Sequence, residues 1–166
     1  MKPAYQHVAV DPEAFVANSG IFINKIRVDR GVILRRVDKG WAKRVSDALK
    51  SRADIRDVAA KRIRLHAQKL QVSSGCKPAV DTSKLASHVD TQGWRHAALC
   101  ENERSPCDLI VIEANEASDL NVPWVTLEEF EDKDIGPAPL IEPTVENLLS
   151  LLRPLVQGAK WVLIED

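Results

Sequence analysis

Four successive branched aliphatic residues, Leu109-Ile110-Val111-Ile112, narrow the folds open to this chain more than any other feature. A strand with one wet face alternates apolar and polar side chains. An unbroken apolar run implies a strand covered on both faces, as in parallel sheets beneath helices. His7-Val8-Ala9-Val10 is a second short run of this kind, and Trp161-Val162-Leu163-Ile164 a third. Helix signals fall between them. Asp11-Pro12-Glu13 places Asp at a cap and Pro in a first turn. Apolar positions at Trp41, Val45, Ala48 and Leu49 repeat with helical spacing. The predicted class is α/β, a partly parallel sheet with helices packed on it.

The remaining segments fit around that frame. Asn18-Ser19-Gly20 is expected to close the first helix. Residues 21–28 alternate too imperfectly to define one face, and Asp29-Arg30-Gly31 is a turn signal before Val32-Ile33-Leu34, so a hairpin is expected there. After a break at Ser51-Arg52-Ala53, Asp54 is expected to cap a helix carrying Ile55, Val58, Ala59, Ile63 and Leu70 on one side. Asp81-Thr82-Ser83 opens another helix, broken near Gly93 and resuming through Trp94, Ala97, Ala98 and Leu99. Thr126 with Glu129 makes a capping box for a short acidic helix. Pro137, Pro139 and Pro143 mark a connector. Thr144 then caps a last helix, kinked by Pro154 and stopped by Gly158.

The chain has 166 residues, 45% of them hydrophobic and 28% charged, which suits a single domain spanning 1–166. No apolar run approaches the ~20 residues that span a bilayer, and Met1-Lys2-Pro3-Ala4 opens no signal-peptide core, so no membrane association is expected. Three cysteines, an odd number without close pairing, point to a reducing cytoplasm. There is no internal repeat and no low-complexity tract.

The net charge of -1 conceals a division. Residues 1–83 carry 17 Lys and Arg against 8 acids; residues 84–166 carry 6 against 16. Such asymmetry marks a basic half and an acidic half, suited to docking on a charged partner. Mutual neutralisation of the two halves would produce the same counts. The basic residues cluster as Arg35-Arg36, Lys43-Arg44 and Lys61-Arg62 with Arg64. On the acidic side, Glu128-Glu129-Phe130-Glu131-Asp132 follows an Asn121-Val122-Pro123 loop bearing Trp124, and aromatic residues on polar loops are frequent interface anchors.

Catalytic patterns are scarce. No nucleophile elbow, zinc-protease helix, phosphate-binding loop or dinucleotide fingerprint is present. Asp11, Glu113 and Asp166 each end an apolar run. Carboxylates beyond strand ends are where a sheet of this class gathers a divalent cation for phosphodiester attack. Asp11 has a competing role as a helix cap. His96 and Cys100 stand four apart, with Cys107 and Cys76 as further thiols, but zinc sites show two close pairs and only one exists here, so no metal and no cofactor are assigned. Spacing singles out none of His7, His66, His88 and His96 as a base.

Asp29-Arg30-Gly31-Val32-Ile33, followed by Lys39-Gly40-Trp41 and Val45, resembles the N-terminal part of bacterial phospholipase-D-like proteins of unassigned role. The segments 94–103 and 109–111 fall where those proteins place a helix and a strand, and 145–166 is similar to the helix and strand that open their phospholipase-D-like fold. The H-x-K-x4-D motif such enzymes use is missing, so the resemblance implies no catalysis. It implies an N-terminal module or shortened relative, in a mobile-element or defence setting.

Together these residues lead to an expected function: a non-catalytic binding or adaptor module of the bacterial cytoplasm. Its basic face (Arg35, Arg36, Lys43, Arg44, Lys61, Arg62, Arg64) would meet an acidic protein or nucleic acid, and Trp124 and Phe130 a basic protein surface. The rival is a divalent-metal nuclease or phosphoesterase using Asp11, Glu113 and Asp166.

Overall fold

The computed structural model describes residues 6–27, 30–73, 90–113, 121–135, 144–146 and 149. They form an α/β fold. Four parallel strands, β1 (Gln6–Val10), β2 (Val32–Leu34), β3 (Leu109–Ile112) and β4 (Trp124–Thr126), lie in the order β2-β1-β3-β4. The register sets Val8 opposite Leu34 on one side and Val10 opposite Val111 on the other. Both central strands are buried along their aliphatic runs, as the unbroken pattern requires.

Among the described residues six helices accompany the sheet: α1 (Pro12–Ala17), α2 (Ser19–Lys25), α3 (Trp41–Ser51), α4 (Asp57–Ser73), α5 (Trp94–Arg104) and α6 (Leu127–Asp132). Several boundaries fall where the sequence places them. Asp11 caps α1 by accepting from the Glu13 backbone N–H at 3.0 Å. The Thr126–Glu129 capping box opens α6. Gly93 adopts φ 110° at the start of α5, a left-handed conformation that side chains resist.

Three expectations are corrected. Residues 19–25 are helical, and β2 pairs parallel with β1, so no hairpin joins them. Ser19 and Phe22 of that helix and Ile26 at its C-cap are buried, at the spacing of one helix face, while half-buried Ile21 and Ile23 obscure the period. The break at Arg52 extends to Arg56, and Asp54 pairs with Arg52 at 3.0 Å instead of capping α4. Trp124 lies in strand β4 rather than in a loop. The helix expected at 81–89, the proline connector, the helix beyond Glu146 (apart from Leu149) and the strand 161–164 lie outside the described residues.

An aromatic row joins the helices beneath the sheet. Trp41 meets Phe15 edge-on at 5.0 Å, Phe15 meets Phe22 at 5.6 Å, and Phe22 stacks on Phe130 at 5.2 Å. Trp41 also donates its indole N–H to the Val10 carbonyl at 2.7 Å, fixing α3 to the end of β1. No described helix is long and apolar enough to cross a membrane.

Candidate functional site

The strand order reverses direction between β1 and β3, and in sheets of this class ligand crevices form beyond the carboxyl ends at such a reversal. An open cleft of about 570 Å³ lies at that edge, lined by Asp11, Glu13, Arg44, Asp47, Ser51 and Arg95 among others. Within it Asp11, nearly fully buried, accepts from Arg95 Nε at 3.3 Å. Glu113, after β3, is not among the lining residues and approaches Arg52 Nη1 at 3.8 Å. No group of three His, Cys, Asp or Glu side chains among the described residues could hold a metal ion, and Asp166 lies outside them. The carboxylate reading therefore gains no support from the cleft.

The histidine–cysteine pair lies on α5. His96 Nδ1 hydrogen-bonds Asp90 Oδ2 at 2.8 Å, which holds the Asp90 carboxyl below its ordinary value. Cys100 Sγ stands 3.9 Å from His96 Nδ1 and 3.8 Å from Nε2. A sulfur equidistant from both ring nitrogens lies off the lone-pair axis of each, so it is placed neither for proton transfer nor for shared coordination. Burial pushes the Cys107 thiol up to about 11, which keeps it protonated and unreactive at neutral pH.

The seven basic residues separate into two groups. Arg35 is buried and paired with Glu101, Nη2 to Oε1 at 3.0 Å, and Nη2 also donates to the Ser105 carbonyl at 3.2 Å. Arg44 meets Asp38 at 2.7 Å and the Asp90 carbonyl at 2.6 Å. These two hold the chain on either side of α5 against the segment after β2. They work inside the molecule and drop out of a partner-facing surface. Half-buried Arg36 has its Nε buried with no partner among the described residues. Lys43 on α3 and Lys61, Arg62 and Arg64 on α4 are exposed, without a hydrogen bond or ion pair among the described residues. Phe130 is fully buried against Phe22, and Trp124 is half-buried on β4, so the two do not form a fully exposed aromatic pair.

Side-chain position on α4 explains the sorting. Ile63, Ala67 and Leu70 point inward, whereas Val58 and Leu65, seven residues apart, are 76% and 55% exposed. Placing Val58 on the buried side is thereby corrected. Its angular position opposite Ile63 and Ala67 is the signal that distinguishes it. The outward face of α4 is thus two aliphatic side chains among Lys61, Arg62 and Lys69.

Ser19 Oγ and His66 Nδ1 are 2.8 Å apart and tie α2 to α4 beside a cleft of about 310 Å³. Burial, then Arg62 and Lys69, lowers the His66 pKa from 6.5; burial, then Arg35, lowers that of His7 against the opposing pull of Asp108. Both rings are neutral in the fold at neutral pH. Below about pH 6.5 the unfolded chain binds more protons than the native one, so stability falls as pH drops through 6.5 toward the lowered native values. Urea denaturation should give a lower midpoint at pH 5.5 than at 7.5, with His7→Gln flattening the dependence. Equal midpoints at the two pH values would contradict it.

No family model, curated protein or solved structure matches the chain.

Proposed function

We propose that the chain is a non-catalytic binding module that docks an acidic protein partner on the outward face of α4. The observation that carries this reading is the set Lys61, Arg62 and Arg64, exposed and without partners among the described residues. Exposed Lys43 on the neighbouring α3 adds to the same charge. Such a surface attracts anions and steers encounter at low ionic strength. Val58 and Leu65 favour a protein over nucleic acid. Phosphate contacts are made by cations and polar groups, whereas two bare aliphatic side chains gain from burial only against another apolar surface.

Fluorescence anisotropy with labelled poly-glutamate and a labelled DNA duplex tests the reading. At 50 mM salt the protein should bind poly-glutamate, and the triple substitution Lys61→Glu, Arg62→Glu, Arg64→Glu should weaken that binding at least tenfold. Undiminished binding by the variant removes α4 as the docking face. A DNA affinity well above that for the polypeptide transfers the surface to nucleic acid.

A further inference from the structure

We infer that the acidic surface met by α4 is α6 of a second copy of this chain, in a two-fold dimer. The inference rests on the proposed docking role of α4 and names its partner. From 56 to 73 the chain carries five Lys and Arg against one acid, Asp57; from 127 to 135 it carries five acids against one base, Lys133. The charges are equal and opposite.

The side chains that bear them are free to engage. Glu131 is tied to Asn18 and Glu129 to the α6 cap, but Glu128, Asp132 and Asp134 are exposed and make no hydrogen bond or ion pair among the described residues. Glu128 and Asp132 stand four apart, so they share one helix face. Lys61, Leu65 and Lys69 form a matching stripe on α4 at the same spacing.

Position then selects the symmetry. Both helices are reached from the start of α2 by consecutive residues: Asn18 Nδ2 donates to Glu131 Oε1 at 2.6 Å, and Ser19 Oγ meets His66 Nδ1 at 2.8 Å. Lys25 Nζ further anchors α6 by donating to the carbonyls of Phe130, Glu131 and Lys133 at its C-terminal end, where a cation is favoured. A basic and an acidic helix carried by the same chain, both reached from the start of α2, are what a two-fold axis between copies needs. Each α4 then faces the partner's α6, and the contact occurs twice in a closed, self-complementary interface. Val58 and Leu65 are covered in the process.

Sedimentation velocity of the full chain at 50 and 500 mM salt, with two charge-reversed variants, tests this. The wild type should be dimeric at low salt and monomeric at high salt. Lys61→Glu, Arg62→Glu, Arg64→Glu on α4 should be monomeric, as should Glu128→Lys, Asp132→Lys, Asp134→Lys on α6. Mixed one to one, the two variants should restore a species of dimer mass, because every reversed contact is attractive again. Circular dichroism of each variant confirms that it is folded. A wild type monomeric at 100 µM and low salt overturns the inference, as does a mixture that stays monomeric. If that happens while poly-glutamate binding through α4 persists, only the dimer is lost; if neither binding nor dimer is seen, the docking role of α4 falls as well.

Discussion

Replacing Glu101 by Ala is expected to destabilise the protein by about 3–5 kcal/mol, because it strands a buried guanidinium. Arg35 is only 5% exposed and Glu101 not at all. Arg35 directs both Nε, at 3.3 Å, and Nη2, at 3.0 Å, to the same carboxylate oxygen. Without that oxygen the cation keeps only its hydrogen bond to the Ser105 carbonyl among the described residues. The double variant Arg35→Met, Glu101→Leu should behave quite differently. Removing both charges also removes both desolvation costs, so a well-packed apolar pair should lie within about 1 kcal/mol of the wild type, or above it. Urea denaturation of Arg35→Met, of Glu101→Leu and of the double variant gives the coupling directly. A Glu101→Ala cost below about 1 kcal/mol would mean that the guanidinium reaches water with little rearrangement, and that the pair does not hold α5 in place.

The same pair shows where sequence reading stops. The aliphatic run of β3, the Asp11-Pro12 helix start and the Thr126–Glu129 capping box are local signals, and each was legible because its cause lies within a few residues. Arg35 and Glu101 are 66 residues apart, and nothing local distinguishes Arg35, which is buried, from Lys61, which is exposed. Charge counts register both alike. Neutralisation between the halves occurs inside the fold at Arg35–Glu101 and nearer the surface at Arg52–Glu113, and Lys25 is held by carbonyls at the end of α6, while the outward face of α4 and the acidic face of α6 stay outside these contacts. The basic face is therefore smaller than its seven sequence candidates. The misread stretch 19–25 has a different cause. Ile21 and Ile23 are β-branched residues of the kind that favours strands, and Phe22 is the one buried apolar residue within so short a helix, with Ile26 at its C-cap. Packing of Phe22 against Phe15 and Phe130 decides the conformation.

Phe22 is consequently the apolar side chain whose loss should cost most. It is fully buried and touches a ring on each side, Phe15 at 5.6 Å and Phe130 at 5.2 Å. Phe22→Ala removes both contacts and leaves a cavity in the middle of the row, for an expected loss of about 3–5 kcal/mol. Phe22→Leu, which retains most of the volume, should cost markedly less. Near-ultraviolet circular dichroism adds a second readout, because Trp41 packs edge-on against Phe15, the next ring along. A loosened Phe15 should weaken the tryptophan bands of Phe22→Ala under conditions where its far-ultraviolet spectrum is still native. A measured cost below about 1.5 kcal/mol with unchanged tryptophan bands would show that neighbouring side chains close over the gap, and that Lys25 on the carbonyls of α6, rather than the aromatic row, fixes that helix to the body of the protein.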